Sequence, residues 1–166
     1  MLKLAAICGI FAIVVSAVDF SCPTNPITNQ PLEGNLPTKA TDLVIVPKGA
    51  NCTYNFQIPD GYALQLLLSA NFKSDNDTVK VVDNLRLSRA LSHANNPVKD
   101  AVIWISSGSS QINVIGVTGT SSFMAKYKYT PLNNFVKASK QTGQLFALNS
   151  VRGLTYYTIT SAKDQV

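Results

Sequence analysis

The stretch Thr53-Tyr54-Asn55-Phe56-Gln57-Ile58-Pro59-Asp60-Gly61-Tyr62-Ala63-Leu64-Gln65-Leu66-Leu67-Leu68 contains two strand patterns joined by a turn. In the first, Tyr54, Phe56 and Ile58 share one face and Thr53, Asn55 and Gln57 the other, the period-two signature of a half-buried strand. Pro59-Asp60-Gly61 then reverses or redirects the chain, proline presetting φ and glycine tolerating a left-handed backbone. In the second run Tyr62, Leu64, Leu66 and Leu68 line one face, with Gln65 opposite. The pair predicts a hairpin or a corner at which the chain passes from one sheet to another.

Short strand patterns continue on both sides at Leu43–Val46, Thr78–Val82, Leu85–Arg89, Gln111–Val117 and Phe123–Tyr129, with Gly, Asn and Ser between them. Ala101-Val102-Ile103-Trp104-Ile105 is apolar on both faces. It reads as a central strand with Trp104 in the core, and Ser106–Ser110 reads as the turn that follows. No long helical period competes with these patterns. They predict an all-β fold, an antiparallel jelly-roll or Greek-key sandwich. Pro23, Pro26, Pro31 and Pro37 make residues 18 to 39 an extended leader, unsuited to a helix or a central strand. Beyond the sandwich, residues 133–166 form a C-terminal extension with two further strand patterns, Leu145–Leu148 and Thr155–Thr160, that completes the sandwich or begins a second module.

Residues 1–17 set the compartment. Lys3, the apolar run Leu4–Val15 and the small pair Ser16-Ala17 have the layout of a secretory signal, and the run is too short to span a membrane. The expected products are a signal peptide at 1–17, a secreted sandwich domain at 18–132 and no transmembrane segment in the mature chain. Cys8 leaves with the signal. Cys22 and Cys52 remain as an even pair in an oxidising compartment, where they are expected to form a disulfide worth roughly 3 to 4 kcal/mol through loop closure. Asn51-Cys52-Thr53 and Asn76-Asp77-Thr78 are acceptor sequons for glycosylation at Asn51 and Asn76. The net charge of +5 is scattered without a basic block, which argues against nucleic acid as a partner.

Phe20-Ser21-Cys22-Pro23 after a signal, Asn51-Cys52-Thr53-Tyr54 opening a strand, and Ile58-Pro59-Asp60-Gly61-Tyr62 leading to an apolar strand occur here in an order that resembles the nematode CUB-like domain family. The closing strand Tyr127-Lys128-Tyr129-Thr130-Pro131-Leu132 is similar as well, so the resemblance spans residues 20 to 132. It implies a secreted, non-enzymatic β-sandwich of the kind associated with innate immune responses to pathogens. The chain departs from true CUB modules in having one mature disulfide and in lacking their calcium-binding constellation. Neither a metal site nor any other cofactor is carried over.

The residues offer little for catalysis. Asp75, Asp77 and Asp83 could begin a calcium site, but an EF-hand loop would need glycine where Lys80 stands and glutamate where Arg86 stands. The expectation is a solvated turn. His93 is the sole histidine and has no nucleophile motif beside it, and Asp75 and Asp83 have no spacing that fixes a glycosidase pair. An extracellular glycan, lipid or protein is the expected kind of partner, with a structural role in a surface coat as the alternative. Tyr62, Tyr127, Tyr129, Tyr156 and Tyr157 are the aromatic stock for a binding face, although strand packing accounts for them equally. Lys126 and Lys128 fit either an acidic partner or the protection of a sheet edge.

Overall fold

The computed structural model describes residues 18–141 and 155–160. The signal segment and the Leu145–Leu148 pattern lie outside them. The strands are β1 (Glu33–Leu36), β2 (Val44–Ile45), β3 (Ala50–Ile58), β4 (Tyr62–Asn71), β5 (Thr78–Val82), β6 (Ser88–Leu91), β7 (Val98–Ile105), β8 (Gly108–Gly116), β9 (Ser122–Pro131), β10 (Val136–Gln141) and β11 (Thr155–Thr160). One turn of 3-10 helix, His93–Asn95, joins β6 to β7.

Two antiparallel sheets face each other. One has four strands in the order β3-β8-β5-β6; the other has five, β1-β9-β4-β7 with β2 also paired to β9. The Pro59-Asp60-Gly61 turn is therefore a corner between sheets, since β3 pairs with β8 while β4 pairs with β9 and β7. Gly61 adopts φ +81°, a conformation a side chain would strain. The period-two reading holds residue by residue: Tyr54, Phe56, Ile58, Leu64, Leu66 and Leu68 are all buried. Aromatic rings bridge the sheets at their centre, with Tyr54 against Phe123 at 6.1 Å and Phe56 edge-on to Tyr127 at 5.7 Å between centroids. Burial pushes the phenols of Tyr54, Tyr127 and Tyr129 upward.

The proline-rich leader closes one side of the sandwich. Cys22 forms the disulfide with Cys52 at a Cα separation of 5.4 Å, and the Tyr54 hydroxyl donates to the Ser21 carbonyl. Ile27 then lies parallel to β3, its amide donating to the Asn55 carbonyl and its carbonyl accepting from the Gln57 amide. The chain crosses to the second sheet, where β1 pairs with β9 from Glu33 opposite Lys128 to Leu36 opposite Ala125. Tyr129 of that sheet reaches back, its hydroxyl donating to the Ile27 carbonyl at 2.7 Å.

Several expectations change. Ala101–Ile105 lies in β7, the last strand of its sheet, and Trp104 and Val102 are 55% and 51% exposed. An apolar run marks a central strand only when both faces are covered, and here the outer face is open. The turn after it shrinks to Ser106-Ser107 because β8 begins at Gly108. The leader contributes a strand, β1, that its prolines concealed, and the Leu85–Arg89 pattern settles as β6 from Ser88 to Leu91. Lys126 and Lys128 protect no edge, because β9 runs between β1 and β4. In the C-terminal extension β10 and β11 pair in parallel, Val136 opposite Thr155.

Candidate functional site

The two ends of the sandwich use their polar residues differently. At one end the loops after β4 and β8 meet through Asp77. This carboxylate is 1% exposed and accepts from the amides of Val117 and Thr118 at 2.6 and 3.1 Å and from the hydroxyls of Thr118 and Ser121 at 2.5 and 2.6 Å. Burial by itself raises its pKa, but the hydroxyl and amide donors outweigh burial and hold it at about 2. Ser121 also accepts from the Lys73 amide at 2.8 Å, extending the network. The solvated turn expected here is thus wrong for Asp77, whose neighbours Asp75 and Asn76 are exposed or nearly so. Nothing in the local sequence separates a buried aspartate from an exposed one; its donors come from a loop forty positions on.

Both sequons sit at this end, Asn76 in the same loop and Asn51 at the start of β3, and both asparagines are exposed. His93 approaches Asp75 at 3.5 Å with both side chains well solvated. Asp83 lies at the far end of β5, where its carboxylate accepts from the amides of Leu85 and Leu87 at 2.9 and 2.8 Å. The three aspartates therefore do not converge, and Asp75 and Asp83 form no catalytic pair. No group of three or more His, Cys, Asp or Glu side chains among the described residues is placed to hold a metal ion.

The opposite end carries a groove of about 950 Å³ on the outer face of the four-stranded sheet. Its floor follows from strand register. Asn55 stands opposite Gln111 and Gln57 opposite Ser109, while Val82 of β5 flanks Gln111 on the other side. Pro26, Thr28 and Asn29 of the leader form one wall, and Asp83 and Arg86 of the β5–β6 turn form the other. One rung up, Thr53 donates to Asn113 at 2.8 Å. The hydrogen bonds among the described residues include none from the side chains of Asn55, Gln57 or Gln111, so these amides face the groove with their donors and acceptors open.

The turn that carries Arg86 is tied by its own side chains. Asp83 clamps the turn through Leu85 and Leu87, and the Asn84 side-chain amide donates to the Ser106 hydroxyl and the Ser107 carbonyl at 3.1 and 3.2 Å. Arg86 sits at φ +62° within this clamp. Sequence patterning finds the polar face of β3 and marks Gln111–Val117 as a strand, but not their juxtaposition, which depends on pairing between strands far apart in the chain. Of the five tyrosines considered as a binding face, Tyr127 and Tyr129 are core and Tyr62 is half-buried at the corner. The side chains of Tyr156 and Tyr157 lie outside the described residues.

A disulfide-tied sandwich with a polar groove and no metal cluster among its described residues has the makings of a binding module. The CUB-like domain family matches residues 17–133, and the chain belongs to that family. CUB-like domains are in general non-catalytic modules that bind proteins or other extracellular partners. No curated protein sequence matches the chain. Among solved structures, the full extracellular region of zebrafish Gpr126/Adgrg6 is similar in fold, with a TM-score of 0.51 and 14% identity. The similarity covers 69% of this chain and 16% of that one. No helix among the described residues is long and apolar enough to cross a membrane.

Proposed function

We propose that this chain is a secreted, non-enzymatic CUB-like protein of the nematode type that binds glycans as part of innate defence. In this reading residues 1–17 are the signal peptide, 18–132 the binding domain and 133–166 an extension, with glycans on Asn51 and Asn76. The observation that carries it is the groove. Its open amides at Asn55, Gln57 and Gln111 both donate and accept, as sugar hydroxyls require, and Pro26 and Val82 give apolar surface for sugar CH faces. Arg86, exposed on the wall, adds one cation.

Asn76 lies at the end opposite the groove, whereas Asn51 shares the outward face of β3 with Asn55 and Gln57, so a glycan there would stand beside the groove. The test is to screen protein secreted from eukaryotic cells against immobilised microbial and host glycans, alongside Gln57→Ala/Gln111→Ala. The expected result is selective binding to one glycan class, weakened about tenfold or more by the double substitution, since each lost hydrogen bond is worth about 1 kcal/mol. Absence of binding to any glycan, or binding indifferent to the substitutions, would leave the coat-component role as the better account. Intact mass before and after reduction and glycosidase treatment checks the signal cleavage and both modifications.

A further inference from the structure

We propose that the free edge of β7 is a self-association surface, at which a second copy of this chain pairs antiparallel through Ala101–Ile105 and joins the two five-stranded sheets. The other strands at the sides of the sandwich are covered or blunted. β3 carries the Ile27 bridge, β1 and β2 are only four and two residues long, and β6 is four residues long with Ser88, Arg89 and Ala90 exposed. β7 has eight residues, pairs on one side with β4, and has no strand on its other side among the described residues. A long edge with apolar side chains and unpaired backbone groups is a template for another strand.

The composition of β7 selects the occupant and the register. Pairing β7 with itself about a two-fold axis through Ile103 puts Ile103 opposite Ile103, Val102 opposite Trp104 and Ala101 opposite Ile105 of the second copy. Lys99 and Asp100, where the β4–β7 register shifts and Asp100 takes φ +48°, and Ser106, beyond the end of β7, fall outside this pairing. Shifting the axis to Val102 or Ala101 carries Trp104 and Ile105 onto that irregular segment or past it, out of regular pairing. Of the three, only the Ile103 axis pairs the whole regular run Ala101–Ile105 with itself. It also places the half-exposed Trp104 and Val102 in contact twice, on the outer face that also carries Leu67 of β4.

Trp104 is the only tryptophan in the chain, so its emission reports directly on the contact. Sedimentation equilibrium and iodide quenching of the full secreted protein across a concentration series are expected to show a monomer–dimer equilibrium, with Trp104 becoming shielded as dimer forms. Val102→Lys changes an exposed residue and is expected to weaken the dimer about tenfold or more, because two cross-strand pairs are lost together. Adding Trp104→Glu to Val102→Lys is expected to restore association to within about threefold of the original, as the register sets the introduced lysine of one copy against the introduced glutamate of the other. A protein that stays monomeric at all concentrations overturns the proposal. So does a dimer unaffected by Val102→Lys, or one that the double substitution fails to restore.

Discussion

The Asp77 end and the groove end of the sandwich are both rich in polar side chains, but one end uses them internally and the other leaves them open. At the first, a buried carboxylate collects amide and hydroxyl donors from a loop far along the chain, and its hydrogen-bonding capacity is spent on holding β4–β5 to β8–β9. At the second, Asp83 and Asn84 stiffen the wall turn while the amides of Asn55, Gln57 and Gln111 remain unpaired. Polar composition alone does not separate an internal network from an open groove in this fold. What matters is whether the polar groups are already satisfied by the protein.

This contrast predicts unequal responses. Replacing both Cys22 and Cys52 by serine frees the leader from the start of β3, and unfolding in urea should show a loss of about 3 to 4 kcal/mol from loop-closure entropy. Asp77→Ala should cost about 3 kcal/mol in the same assay, because it leaves several buried donors without an acceptor. Either loss falling below about 1 kcal/mol would break the comparison at its structural end.

Acid should act on the Asp77 end. The folded pKa of Asp77, about 2, lies below its ordinary 3.8. Its ionised form is therefore favoured by folding, with the stabilisation complete above about pH 4 and lost as pH falls toward 2. The difference corresponds to about 2 kcal/mol, and Asp77→Asn should remove that segment of the pH–stability curve. Gln57→Ala and Gln111→Ala, at exposed or half-exposed positions, should each change stability by less than about 0.5 kcal/mol.

Much of the fold was legible in the sequence because alternation is a local property. Tyr54-x-Phe56-x-Ile58 and Leu64-x-Leu66-x-Leu68 announce their buried faces without reference to any partner, and Pro59-Asp60-Gly61 announces a turn but not whether it closes a hairpin or joins two sheets. The cysteine pair was legible by counting. Pairing partners were not. Glu33–Leu36 becomes a strand because β9 offers it an edge, and its flanking prolines mask that outcome. Trp104 was misplaced for a related reason: the apolar pattern of Ala101–Ile105 says that both faces want cover, not which neighbour provides it. The groove was the least legible part, since Gln57 and Ser109 meet only through the β3–β8 register, and Arg86 reaches the wall only because Asp83 and Asn84 fold its turn.

The most direct test of the division between the two ends is to measure urea stability and glycan affinity together for Asp77→Asn and for Gln57→Ala/Gln111→Ala. The predicted result is a crossed pattern, with Asp77→Asn less stable but unchanged in affinity under folded conditions, and the groove variant equally stable but about tenfold or more weaker in binding. Affinity lost in the folded Asp77→Asn protein, or retained in the groove variant, would contradict it.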